Sequence, residues 1–305
     1  MSSKKKTNDI LKQGTILAAA SILVRMIGVM YRIPLNNLLG EEGNGIYGGA
    51  YKVYSIALIV SSYGLPLAVS RMVAAKNVQG QYKNSHKIFI NALIFATIIG
   101  AVVGGTIYFG ADFFAKFMGL SRAAMPLRVL APTIFCVAIL GVLRGFFQGH
   151  NTMVPTAVSQ VLEQIINAVI SCVAAYAFIA MCKNPSNKAV FGATGSTVGT
   201  FSGALVALLF MIGVYMLNRP VFKRKMAADP NPVDSNKAIY HILFITVIPV
   251  ILSQTVYQIS GLVDTSIFGN VMKAKGMEEN VVERLIGAFT CLLYTSPSPR
   301  DMRRS

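Results

Sequence analysis

Two arginines interrupt the first long apolar run of this 305-residue chain, and they are the side chains with the clearest capacity for chemistry. Arg25 lies about eleven residues into the run 14–39, and Arg32 follows seven residues later. At about 100° per residue the two project from nearly the same face of a helix, about two turns apart. An arginine at the centre of a membrane helix costs roughly 2.5 to 3.5 kcal/mol on insertion scales, so a pair on one face is not expected to point at lipid. A guanidinium stripe is suited to holding phosphate through paired N–H donors. Lys52 in the second run, with Arg128 and Arg144 near opposite ends of the fourth, brings the in-span cations to five, against one in-span carboxylate, Glu163. Each of these three has the length to snorkel to an interface. Taken together, the five predict a basic central cavity for a phosphate-bearing substrate.

The fifth run carries Gln160, Glu163, Gln164 and Asn167 at i, i+3, i+4 and i+7, a polar stripe on an otherwise apolar helix. Two readings stay open. The stripe is a substrate-cavity wall, with Glu163 as an arginine's counter-ion or a proton or cation site, or it makes hydrogen bonds between helices. The seventh run holds Ser253, Gln254, Gln258, Ser260 and Asp264. Asp264 is a second candidate for ion or proton coupling, with an interfacial position as the alternative.

The elements that must position these residues are membrane helices. Hydrophobic residues make up 54% of the chain and charged ones only 13%, with mean hydropathy +0.57; a soluble domain carries about 25% charge. Seven runs are long enough to cross about 30 Å of hydrocarbon: 14–39, 45–70, 88–109, 124–147, 153–181, 191–217 and 239–268. An eighth begins near Leu285. The expected fold class is an all-α polytopic membrane protein. Residues 1–217 form a six-helix lobe, 218–237 a charged cytoplasmic connecting loop, and 238–293 the start of a second lobe. A loop is expected at residues 41–44, between the first two runs.

The net charge of +16 is distributed asymmetrically. With the N-terminus cytoplasmic, thirteen Lys and Arg fall on the inner side and seven on the outer, which is the topogenic bias of a multi-pass membrane protein with its N-terminus inside. The excess therefore faces anionic lipid rather than nucleic acid. Four cysteines without a CxxC pair and three scattered histidines give no metal site, and no GxxxxGK[ST] string is present for ATP. No cofactor is expected. Glycines at 195, 199 and 203, and at 100 and 104, predict close helix packing. Pro34, Pro66, Pro132 and Pro249 permit bends.

Three longer strings resemble a known family: VRMIGVMYRIPLNNLLGEEGNGIYGGAYKVYS, with YGLPLAVSRMVA following it; LRGFFQGHNTMVPTAVSQVLEQ from Leu143; and IPVILSQTVYQISGLVDTSIFG from Ile248. From about residue 8 to about 293 the chain resembles the polysaccharide transporter branch of the multidrug/oligosaccharidyl-lipid/polysaccharide exporter superfamily, especially its sporulation and lipid II flippase-like members. The resemblance implies two six-helix lobes around a cavity that opens alternately to either side of the membrane. It also implies that Arg25 and Arg32 line a cationic cavity receiving the diphosphate of a polyprenyl-linked sugar. Arg144, Gln148 and Glu163 fall in the second of these strings, and Asp264 falls in the third. The implied activity is flipping of a lipid-linked oligosaccharide or peptidoglycan precursor without enzymatic chemistry. A cation-coupled multidrug exporter ranks second and a polytopic lipid-linked glycosyltransferase third. Partners are the lipid-linked substrate and membrane lipids, and the sequence does not set an oligomeric state.

From Tyr294 the apolar pattern gives way to TSPSPRDMRRS. The string LLYTSPSPRD resembles translated sequencing adapter. The expectation is a truncated reading frame with a non-native tail at 294–305, poorly packed from about residue 292.

Overall fold

In hydrocarbon every backbone N–H and C=O must be satisfied within the chain, so apolar runs of this length fold as helices. The computed structural model describes the backbone of residues 2–295 and the side chains of 13–256 and 258–288. The expected tail lies outside the described side chains. No strand occurs among the described residues. The long helices are α1 (Ser2–Leu58), α2 (Leu65–Val78), α3 (Tyr82–Phe109), α5 (Ala124–Gly149), α6 (Val154–Met181), α7 (Lys188–Ala227) and α8 (Asn236–Ala274). A short α4 (Ala111–Phe117) lies between α3 and α5, and α9 (Glu279–Thr295) follows α8. Among the described residues, six helical stretches are long and apolar enough to cross a membrane. The first of them, Gln13–Val78, contains both the first and the second predicted run. The chain is an all-α, multi-pass membrane protein.

The predicted loop at 41–44 is helical instead. Gly40 alone turns the chain, at φ 65° and ψ −176°, and the helix resumes at Glu41. A single residue in left-handed φ is easiest for glycine, and helix continues on either side of it. The second crossing is itself interrupted by a π-helical turn at Ile59–Tyr63 and by Gly64. Pro66 occupies the first turn of α2, where its missing N–H has no helical partner to lose. The stretch 218–237, expected as a loop, is helical to Ala227, and α9 begins at Glu279 rather than near Leu285.

Helix directions follow from the contacts. The arm of α1 before Gly40 runs parallel to α6: Gln13 Oε1 accepts from the Met153 amide at 2.9 Å, Gly28 lies beside Gln164, and Asn167 lies beside Tyr31. Helix α7 runs antiparallel to α6 along the predicted small-residue seam. A Cβ on Gly195, Gly199 or Gly203 would meet Ala174 O at 2.5 Å, Ser171 Oγ at 2.1 Å or Glu163 O at 2.6 Å. Gly100 and Gly104 likewise seat α3 on α5. One end of the bundle gathers Gln13, Met153, Asn77, Gly149, Lys83 and Asp229. The Gly40 bend, Arg122, Ser186 and Glu279 gather at the other. Between the ends, Phe89, Leu140, Phe146 and Met211 pack one apolar core, and Ile46, Leu127, Leu130 and Ile134 pack a second.

Candidate functional site

Helical geometry places Arg25 about 18 Å along the axis from Gln13, at 1.5 Å per residue, and thus deep in the span. Leu35 and Leu39 of the same arm are buried, whereas Ile22, Met26, Val29 and Ile33 are exposed. Arg25 and Arg32 occupy the border between these two faces, with Arg25 exposed and Arg32 half-buried. On the docked side stands the polar row of α6. Gln164 approaches Gly28, so that a Cβ there would meet its Nε2 at 3.3 Å. Asn167 Nδ2 donates to Tyr31 Oη at 3.5 Å, and Asn167 Oδ1 accepts from Ser171 Oγ at 2.9 Å and from Thr200 Oγ1 at 3.4 Å. Gln160 points a buried Oε1 that has no hydrogen-bond partner.

Glu163 acts as a counter-ion. Its Oε2 accepts from Arg144 Nη2 at 2.7 Å, while Arg144 Nε donates to Ser159 Oγ at 2.9 Å. The Arg144 pair and the Asn167 bonds are contacts between helices, as the second reading has it. Glu163 pairs with an arginine and Asn167 joins helices, while Gln164 and Gln160 are not absorbed by such bonds. Arg128 is paired with Asp112 of α4. Arg128 and Arg144 of the five in-span cations thus pair with carboxylates of this chain. Lys52 reaches a different element: it donates to Thr265 Oγ1 of α8 and lies within electrostatic range of Asp264. The structure brings Lys52 near Asp264 at the contact between α1 and α8, and sets Gln164 and Asn167 on the α1–α6 contact, with Arg25 exposed and Arg32 half-buried at its edge.

A row of tyrosines was not singled out in the sequence. Tyr47, Tyr51 and Tyr54 follow at i, i+4 and i+7 after the bend. Their rings are 5.6 and 5.3 Å apart in sequence order. Tyr47 is hydrogen-bonded with Thr200 and lies within electrostatic range of Arg32 and Tyr31, and Tyr54 lies within range of Glu163. Tyr54 is buried in the apolar cluster of Ile46 and Leu127, and Tyr47 and Tyr51 pack against that cluster. The helical spacing of the three was the row's available signal. No cluster of three or more metal-ligating side chains occurs among the described residues.

A model of the polysaccharide biosynthesis protein family matches residues 10–277, nearly the whole helical chain. The chain belongs to this family. Within it, stage V sporulation protein B of Bacillus subtilis (strain 168) is 29% identical over 216 residues, covering 70% of this chain and 40% of that protein. Lipid II flippase MurJ of the same organism is 26% identical over 282 residues, 88% of this chain and 51% of that one. The chain thus spans about half the length, or less, of these curated relatives. Among solved structures, the outward-facing conformation of a multidrug resistance MATE family transporter of the MOP superfamily superposes with a TM-score of 0.65 at 18% identity, over 80% of this chain and 52% of that one. The family member described here shares that transporter's helical fold.

Proposed function

We propose that this chain forms the first lobe and the start of the second lobe of a flippase that moves a polyprenyl-diphosphate-linked oligosaccharide or peptidoglycan precursor across a bacterial cytoplasmic membrane. One observation carries the proposal: Arg25 and Arg32 share one edge of the first arm, Arg25 near the middle of the run and Arg32 about two turns further on, beside the amides of α6 and the hydroxyls of Tyr31 and Tyr47. A diphosphate dragged through hydrocarbon without compensation is prohibitive in energy. Guanidinium groups replace its hydration through paired donors, while the polyprenyl tail stays in lipid. Gln160, Gln164 and Asn167 supply neutral donors and acceptors for sugar. Lys52 and Asp264, where α8 meets α1, are placed to sense the relative position of the two lobes. Rigid-body rocking of those lobes, biased by a bound proton or cation or by membrane potential, alternates the access of the cavity. The N-terminus is cytoplasmic in this proposal.

The test is a headgroup-accessibility assay with defined lipid-linked sugars in liposomes containing the full-length protein. Arg25→Ala and Arg32→Ala each abolish flipping while insertion and folding stay near normal, and Arg→Lys restores it only in part because an ammonium lacks the bidentate fork. Wild-type rates from both alanine variants, or drug uptake without movement of any lipid-linked sugar, would refute the proposal.

A further inference from the structure

At the end of the bundle marked by the Gly40 bend, Glu283 of α9 is fully enclosed, with 0% of its side chain exposed. Its Oε2 accepts from Arg122 at 2.8 Å, and its Oε1 has no hydrogen-bond partner. Leaving one oxygen of an ionised carboxylate buried and unpartnered is costly, whereas a protonated carboxyl avoids most of that cost. The neighbouring charges come from every element packed there. Arg122, in the turn Ser121–Ala123, also donates to Glu42 of α1 and to the Ser186 carbonyl before α7. Glu279, one turn back on α9, accepts from the Ser121 amide at 2.7 Å and from Lys273 of α8 at 3.2 Å. Arg284 stands 4.0 Å from Glu42. One guanidinium is therefore shared by two carboxylates, with a third close by. Burial, reinforced by Glu279 and Glu42 and opposed by Arg122, pushes the Glu283 carboxyl up to about 7.

The backbones beside this cluster nearly touch. A Cβ on Gly45 would lie 1.9 Å from Glu283 O, and one on Gly287 would lie 2.1 Å from Glu41 O. Val282 and Ile286 of α9 are buried in the same apolar cluster as Ile46 of α1. Helix α9 is thus seated directly on α1, with Glu283 at the centre of the contact. We propose that Glu283, enclosed by Arg122 and Glu42, is a proton-binding site that latches α9 onto α1 and closes this end of the bundle.

The sign of the coupling follows from the enclosure. With α9 docked, Glu283 holds its proton more tightly than it would in water, where a glutamate titrates near about 4.3. Proton binding therefore favours the docked form. That contribution is fully present below about 4.3 and is lost as pH rises through about 7. Above that pH the ionised group competes with Glu42 for Arg122, and α9 separates.

Pulsed electron–electron distance measurements on the full chain in detergent test the latch. Spin labels are placed at Asn37→Cys on α1 and Leu285→Cys on α9, two exposed positions outside the cluster, after alanine replacement of Cys136, Cys172, Cys182 and Cys291. The expected result is a short distance at pH 5.5 that gives way to a longer one by pH 8.5. Glu283→Gln keeps the short distance throughout that range. Arg122→Gln, which removes the opposing cation, moves the midpoint upward and provides an independent reading if Glu283→Gln does not fold. An unchanged distance in the parent chain across this range, a Glu283→Gln variant that titrates like the parent, or a downward shift in Arg122→Gln would each overturn the proposal.

Discussion

Removing Glu163 strands Arg144 inside the bundle, and the size of that effect can be worked from the geometry. The two charges are 2.7 Å apart, with 14% of the arginine side chain and 30% of the glutamate side chain exposed. At an effective dielectric constant of about 20, Coulomb attraction at that distance is about 6 kcal/mol, most of it offset by removing both ions from water. Breaking a buried pair by deleting one partner typically costs about 3 to 5 kcal/mol. The partial exposure of Glu163 lets water reach the stranded arginine, so about 2 to 3 kcal/mol is expected for Glu163→Leu. Arg144 keeps only Ser159 Oγ as a partner in that variant. Replacing both groups, as Arg144→Met with Glu163→Leu, removes the stranded charge and should return stability to within about 1 kcal/mol of the parent. SDS-induced unfolding of the purified chain, followed by far-UV circular dichroism, yields the double-mutant cycle. A coupling energy under about 0.5 kcal/mol, or a double variant as unstable as the sum of the singles, would show that the pair does not hold α5 to α6.

Gly199→Ala should destabilise the chain by about 1 to 3 kcal/mol in the same assay, because the added Cβ strikes Ser171. Ser171→Ala should not rescue it, since the Ser171 amide nitrogen, 2.4 Å from that Cβ, stays in place. Asp229, held below the usual carboxylate range by the Lys83 and Asn231 amides, stabilises the connection between α7 and α8 above about pH 3.8 and loses that effect as pH falls through its lowered value. Asp229→Ala should accordingly weaken thermal stability at pH 7, with the difference from the parent shrinking as pH falls through that lowered value. In a cysteine-free background, an impermeant maleimide should label Asn187→Cys in intact cells and Asn231→Cys only after lysis; the reverse pattern would invert the assigned orientation.

What the sequence determined by itself follows from local periodicity. Apolar runs longer than about 20 residues have no solution in hydrocarbon other than helices, so the crossings were legible. Glycines every four residues on α7 specified a close seam because only their lack of a side chain matters there, whatever helix lies opposite. Arg25 and Arg32 were legible for a similar reason: seven residues is nearly two full turns, which puts them on one face before any partner is known. The polar string at 41–44 misled because composition resembles a loop, whereas backbone hydrogen bonding needs only one residue, Gly40, to leave the helix. Whether an in-span charge binds a ligand or another residue of the chain could not be read locally. Arg144 finds Glu163 only because α5 and α6 lie side by side in that register, and Lys52 meets Thr265 more than two hundred residues later. The cluster of Glu42, Arg122, Ser186 and Glu283 has no sequence pattern at all. Its members come from four separate elements, and only the folded path of the chain puts their charges within hydrogen-bonding distance and excludes water from Glu283.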